Sequence, residues 1–212
     1  MHNMFKQVVI EKGLKTKKEI EENPDIANIR KEQLHGFELQ SYMFTIATTN
    51  MILRGNGKSN LINADFLAQE PDKVQLKGAT VDMMNPPYSQ SSKKNPNLYE
   101  ICFTEHLLDS LTEGTRCAVI VPQSSMTGKT TEEQNVKMNI LKHHTLEGVI
   151  TLNKDTFYGV GVMPCIAVFT THKPHSKNKV CKFINFEGDG WKVFPHLGLL
   201  ETESAKDKKF DF

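Results

Sequence analysis

The chain has 212 residues, 38% of them hydrophobic and 24% charged, which describes one ordinary globular domain with room for a sizeable core. Twenty-six Lys and Arg against 25 Asp and Glu leave a net charge of +1, which argues against a protein that coats nucleic acid by charge alone and against an acidic disordered tail. No run approaches the roughly 18 apolar residues of a membrane span, and the start lacks a signal-peptide layout, so a cytoplasmic protein with no membrane attachment is expected. Cys102, Cys117, Cys165 and Cys181 stand far apart without metal-ligand spacing. They read as reduced packing thiols, and no metal is expected.

Residues 2–12 place Met4, Phe5, Val8 and Val9 at helical spacing. Residues 13–33 are very polar and read as an exposed excursion with at most a short helix. His35–Leu39 is a short strand, and Ser41–Leu53 reads as a helix ending at Gly55. Leu61–Phe66 and Thr80–Met84 are further strands, the latter filled by Met83 and Met84. Leu98–Leu111 is an amphipathic helix stopped by Gly114. Cys117–Val121 (CAVIV) is a continuous apolar run, as in a strand buried on both faces of a parallel sheet. A helix over Glu132–His143 follows, with His143 and His144 as helix-end residues favoured by the dipole. Strands at Leu146–Leu152, Cys165–Thr170 and Lys182–Phe186 complete the pattern. The alternation predicts an α/β fold with a mostly parallel sheet and right-handed crossovers. The Gly- and aromatic-rich link between Leu152 and Cys165 predicts an antiparallel hairpin at one edge.

Ligands of open parallel sheets bind outside the carboxyl ends of the strands. After Val81–Met84 stands Asn85-Pro86-Pro87-Tyr88. Two prolines have fixed φ and no N–H, so they form a rigid loop whose carbonyls remain free to accept hydrogen bonds. An amide and an aromatic ring beside such a loop suit a planar amine. The Asn85 oxygen and the Pro86 carbonyl accept its two N–H bonds, drawing the nitrogen lone pair out of conjugation, and Tyr88 stacks on the ring.

Asn-Pro-Pro-Tyr after a strand resembles the catalytic motif of amino-directed, S-adenosylmethionine-dependent methyltransferases. The surrounding residues are similar to the modification (M) subunit of type I restriction–modification systems and related N-6 DNA methylases. His35-Gly36-Phe37-Glu38-Leu39 resembles the family's second strand, whose terminal acid binds the cofactor ribose. Ala47–Gly55 resembles its A-x-x-N-x-x-x-x-G helix, and Asn63-Ala64-Asp65-Phe66 the motif that meets the cofactor adenine. Val119-Ile120-Val121-Pro122 resembles the strand after the catalytic helix. Phe157-Tyr158-Gly159 resembles the hairpin whose aromatic helps hold a flipped base. The resemblance implies a Rossmann-like methyltransferase sheet that moves a methyl group from S-adenosylmethionine to adenine N6 in double-stranded DNA. It assigns Asn85, Pro86, Pro87 and Tyr88 to catalysis, Glu38, Asp65 and Asn85 to the cofactor, and Phe157 and Tyr158 to the base. Partners implied are specificity (S) and restriction (R) subunits.

By their residue chemistry alone, these assignments stay open. Glu38 is a strand-end carboxylate able to accept hydrogen bonds from a diol or to face solvent. Asp65 is equally an N-cap or turn residue. Phe157 and Tyr158 equally pack a hairpin. Ser89–Asn95, with Lys93 and Lys94, either borders DNA or is a solvated loop.

The chain departs from the family's pattern, in its cofactor loop and in having no counterpart of the N-terminal helical domain and distal C-terminal part of type I M subunits. No glycine-rich strand-to-helix loop precedes Glu38, and residues 1–12 read as the helix that follows such a loop. A partial catalytic domain over 1–190 with an extension over 191–212 is therefore expected, its first strand missing and homodimerisation able to cover the unpaired edges. A non-catalytic remnant that binds a partner is the alternative from another class. An enzyme acting on RNA guanine amines or protein glutamine keeps the same motif with another substrate.

Overall fold

The fold, taken from a computed structural model, is described for residues 2–32, 34–53, 60–74, 79–88, 99–157, 161–186, 188–194 and 196–202. The chain divides into two compact units, Met1–Gln69 and Glu70–Phe212.

The smaller unit opens with α1 (His2–Glu11), α2 (Lys17–Glu22) and α3 (Pro24–Glu32). The polar stretch predicted as an exposed excursion therefore holds two helices. A capping box starts α2: Thr16 Oγ1 accepts from the Glu19 amide and Glu19 accepts from the Thr16 amide. The Lys15 and Thr16 amides, both donating to Glu19 Oε2, hold its carboxyl below the usual range. Asn23 Oδ1 accepts from the Asp25 and Ile26 amides and so starts α3. Ile26 and Ile29 of α3 are buried, and Lys12 ties α1 to Asp25 at 3.2 Å. Next come β1 (His35–Glu38), α4 (Ser41–Leu53) and β2 (Asn60–Asn63). β1 and β2 pair in parallel, with Gly36 opposite Leu61 and Glu38 opposite Asn63. A Cβ on Gly36 would stand 2.9 Å from the Leu61 side chain, so glycine sits where the strands approach closely. The end predicted for α4, at Gly55, lies outside the described residues.

The larger unit holds α5 (Pro71–Val74), β3 (Val81–Met84), α6 (Glu100–Asp109), β4 (Arg116–Pro122), α7 (Gln123–Thr127) and α8 (Thr131–His143). It continues through β5 (Thr145–Leu152), β6 (Pro164–Thr170) and β7 (Lys182–Phe186) to a hairpin of β8 (Trp191–Phe194) and β9 (Gly198–Glu201). The main sheet has the order β3-β4-β6-β5-β7, with β6 antiparallel to both neighbours and the others parallel. The predicted antiparallel hairpin thus forms from β5 and β6 but lies one strand in from the edge. The 171–181 link carries the chain past β5, and β7 takes the edge. β4 is fully buried on one face only, through Cys117, Val119 and Val121, with Ala118 and Ile120 half-buried. Cys165, Ala167 and Phe169 extend the core across β6, and Ile101, Leu107, Leu108 and Ile140 of α6 and α8 belong to it. Of the two strand methionines, Met84 is half-buried but Met83 is 77% exposed. Gly114 ends the loop after α6 at φ +80°, the left-handed region open to glycine.

His144 corrects the reading of the histidine pair. His143 ends α8 exposed, but His144 is fully buried, its Nε2 3.0 Å from Asp109 Oδ1. Its Nδ1 accepts from the His172 amide at 3.1 Å, which leaves Nε2–H as the donor to the carboxylate. His172 in turn donates Nε2–H to the Leu111 carbonyl at 2.6 Å. One imidazole therefore joins α6, the start of β5 and the turn after β6. His144→Ala leaves a buried amide without a partner and an apolar gap, a loss of roughly 2–4 kcal/mol. The check is chemical denaturation; a loss below about 0.5 kcal/mol, the range of surface substitutions, would contradict this role.

Candidate active site

β3 leaves the sheet beside β4, with Asp82 opposite Cys117 and Met84 opposite Val119. At this carboxyl end Asn85 and Pro87 are exposed and Pro86 is buried. The buried proline anchors the loop without presenting an unpaired N–H to the core. Tyr88 is half-buried, and its hydroxyl donates to the Ile120 carbonyl at 3.3 Å. Its ring meets Phe157 edge-on, with centroids 6.1 Å apart and planes at 76°. Two side chains predicted for the site thus come together from the ends of β3 and β5. Tyr158 lies outside the described residues, as do Ser89–Asn95.

Burial pushes the Tyr88 phenol up to about 12, with Cys165 and Glu100 adding to the shift. Tyr88 therefore remains a neutral donor throughout the pH range of ordinary enzymes. Burial also raises the Cys165 thiol, to about 11, and the Cys117 thiol further. It raises the Asp82 carboxyl too, and Asp82 Oδ2 has no hydrogen-bond partner among the described residues. Beside the loop, the Gln123 amide donates to the Met163 carbonyl at 2.8 Å, closing the exit of β4 against the start of β6.

In the smaller unit, Glu38 ends β1, and its Oε1 accepts from the Gln40 amide at 2.7 Å. Oε2 takes no hydrogen bond among the described residues, which leaves a carboxylate oxygen for a diol. The Asn63 side chain straps this turn: Nδ2 donates to the Glu38 and Leu39 carbonyls at 2.7 and 3.1 Å, and Oδ1 accepts from Ser41 Oγ at 3.0 Å. Asp65 Oδ1 accepts from the Leu67 amide at 3.0 Å, the turn role foreseen as its plain alternative. Its second oxygen is unbonded among the described residues. Phe37 and Phe66 bracket these turns, with ring centroids 5.5 Å apart. Sequence reasoning placed Asn63 only in the adenine motif and missed its hold on the Glu38 turn, and it gave no role to the Ile120 carbonyl. A polar Asn opposite a strand-end acid was the available signal for the first; a backbone carbonyl carries none.

A family model described as N-6 DNA Methylase matches residues 13–197. The chain is 46% identical over 190 residues to the type II restriction enzyme and methyltransferase RM.BcgI of Heyndrickxia coagulans, covering 89% of this chain and 30% of that protein. The chain thus spans under a third of the length of that curated relative. Among solved structures, the methyltransferase subunit of a type I restriction–modification system from Streptococcus thermophilus aligns at TM-score 0.62 and 18% identity. That alignment covers 82% of this chain and 40% of the other. A modification subunit of a putative type I restriction enzyme from Vibrio vulnificus YJ016 aligns at TM-score 0.59 and 18% identity, over 78% and 37% of the two chains. At these identities the structures speak to the fold alone, a mixed α/β methyltransferase fold with a mostly parallel central sheet.

Tyr88→Phe keeps the ring contact and loses one hydrogen bond, costing about 1 kcal/mol of stability. Alkaline titration of tyrosinate absorbance should show one phenol titrating near 12 that this variant lacks. A variant whose titration curve matches the parent's above pH 11 would contradict the burial of Tyr88.

Proposed function

The chain belongs to the N-6 DNA methylase family, and on that premise we propose that it carries the acceptor site of a DNA adenine-N6 methyltransferase of a restriction–modification system. The observation that carries this reading is the clamped Tyr88, bonded to the Ile120 carbonyl and edged by Phe157, beside an exposed Asn85 on a diprolyl turn.

An exocyclic amine is conjugated with its ring and is a weak nucleophile. The Asn85 side-chain oxygen and the Pro86 carbonyl accept its two N–H bonds and favour a lone pair freed from the ring. Adenine must leave the duplex to reach them, and its face then rests on Tyr88, with Phe157 at the edge of that ring. Tyr88 is locked by its bond to β4, so the stacking surface is ordered before the base arrives. Orientation and exclusion of water supply the rate, and no dedicated base is needed.

The residues present fit S-adenosylmethionine. Glu38 has an unbonded oxygen at a strand end, suited to the ribose diol, and Asp65 has one suited to the adenine amine. When bound, the cofactor supplies the methyl group. Asn63 holds the Glu38 turn in shape.

Double-stranded DNA is the substrate in this reading, and the enzyme works in the cytoplasm. Two arrangements of the whole protein are open to test. In one, the chain is part of a type I M subunit that assembles with S and R subunits and dimerises. In the other, it is the methyltransferase part of one polypeptide that also cleaves DNA. The 46% identity to a combined restriction enzyme and methyltransferase, against 18% to the type I subunits, favours the second. Subunit composition of the purified native complex separates them.

Asn85→Ala should reduce adenine methylation by at least about 100-fold, comparable with losing an oriented polar group at a reacting centre. Its melting should stay unchanged, because Asn85 is exposed. Glu38→Gln should weaken S-adenosylmethionine binding roughly 10- to 100-fold by calorimetry, the effect of losing a charge-assisted hydrogen bond. Methylation retained by Asn85→Ala would overturn the acceptor site, and unchanged binding by Glu38→Gln would overturn the ribose assignment.

A further inference from the structure

Charge is distributed unevenly along this chain. No Asp or Glu occurs from Thr156 to Phe186, a stretch that contains Lys173, Lys177, Lys179 and Lys182. Those four lysines alone exceed the net charge of +1, so the rest of the chain carries net −3. All four lie on or just after the link from β6 to β7.

That link is firmly tied to its surroundings. Thr145 Oγ1 donates to the Lys173 carbonyl at 2.7 Å, and the His175 amide donates to the Leu141 carbonyl at 2.9 Å. The Lys179 amide closes a turn on the Ser176 carbonyl at 3.0 Å, and Cys181 Sγ donates to the Leu146 carbonyl at 3.3 Å. These bonds bring the link against the last turn of α8, which carries Lys142 and the exposed His143. The elements around the link also carry carboxylates: Glu132 and Glu133 in the first turn of α8, Glu147 on β5, Asp109 of α6, which receives the His144 bond, and Glu113 in the loop after α6. Glu147 is taken by Lys179 at 2.5 Å. Lys142, Lys173, Lys177 and Lys182 are exposed and make no ion pair among the described residues.

We propose that Lys142, Lys173, Lys177 and Lys182 form a second contact with DNA, made to phosphates without regard to sequence, at the pole of the larger unit opposite Asn85. The inference rests on DNA being the substrate. The parallel strands fix the polarity: Asn85 follows the carboxyl end of β3, whereas 171–181 leads into the amino end of β7. An eight-residue strand spans about 26 Å and four strand steps about 19 Å, so the patch stands about 30 Å from Asn85. At about 3.4 Å per base pair, duplex passing around the unit would meet it at least about nine base pairs from the target.

The composition fits phosphate better than an acidic protein surface. Protein interfaces have apolar cores enriched in aromatic residues, Met and Arg and depleted in Lys. Here the exposed apolar residues beside the lysines are Pro174, Val180 and Phe183, with Met138 one turn before Lys142, and the link contains no Arg. Lysine ammonium groups act as point charges toward phosphates and need no fixed geometry. Held on an ordered link, they pay little to be positioned.

The test is the salt dependence of duplex binding by the full chain, measured by fluorescence anisotropy from about 50 to 200 mM KCl. The variant combines Lys142→Gln, Lys173→Gln, Lys177→Gln and Lys182→Gln. Each lost phosphate contact reduces the log–log slope by about 0.9, so the four-lysine variant should lose about 3.6 units of slope. A variant with unchanged melting and an unchanged slope would overturn the patch alone, leaving the acceptor site standing and an acidic protein as the remaining partner. Absence of any duplex binding by the parent chain would overturn both readings.

Discussion

β6 is the strand on which the larger unit depends. It pairs with β4 along its whole length, from Arg116–Thr170 to Pro122–Pro164, and with β5 from Thr145–Thr170 to Thr151–Cys165. Because it runs against both neighbours, its first residues lie at the carboxyl ends of β4 and β5. Its last residues lie at their amino ends. The first contact closes Gln123 on Met163 beside the acceptor loop, and the second delivers the chain to His172 and the buried His144. Inner-face residues Cys165, Ala167 and Phe169 are fully or almost fully buried, so this register slides only by exposing the core.

That one antiparallel strand gives the two poles different chemistry. At the carboxyl pole, rigid proline backbone, a neutral phenol and an edge-on phenylalanine make the aromatic surface proposed to take a flat, uncharged base. The high pKa of Tyr88 belongs with this picture, since a buried phenol beside Glu100 resists ionising and continues to donate to Ile120. At the amino pole, threonines and histidines satisfy one another. Thr171 Oγ1 donates to the Thr112 carbonyl, Thr115 Oγ1 to the Ala79 carbonyl, and His172 to that of Leu111. This latch lets the basic link stand on a firm base. The smaller unit contributes separately, through the carboxylate of Glu38 and the turn that Asn63 shapes around it.

Local pattern sufficed for much of this. Ser41–Leu53 reads as a helix and is one, residue for residue, and CAVIV reads as a buried strand because only a core accepts such a run. The place of Asn85–Tyr88 directly after β3 was legible because two prolines cannot continue a strand ladder. The features that escaped reading depend on partners distant in sequence. His144 looks like any helix-end histidine until Asp109, 35 residues earlier, and His172, 28 residues later, come together around it. The core face of α3 is marked mainly by Ile26 and Ile29, among lysines and acids that suggest solvent. The place of the β5–β6 hairpin depends on β7 taking the edge, which pairwise strand patterns do not encode. Tyr88 finds a backbone carbonyl, and any residue type would provide one.

The central claim is that the diprolyl loop presents Asn85 to an exocyclic amine of adenine. Its most direct test is the chemical identity of the product. The full-length protein carrying this chain is incubated with duplex DNA and methyl-labelled S-adenosylmethionine, the DNA is digested, and the nucleosides are resolved by mass spectrometry. The account predicts N6-methyldeoxyadenosine as the sole labelled nucleoside. Label on a cytosine, or label found on RNA or protein while adenine stays unmodified, would contradict it.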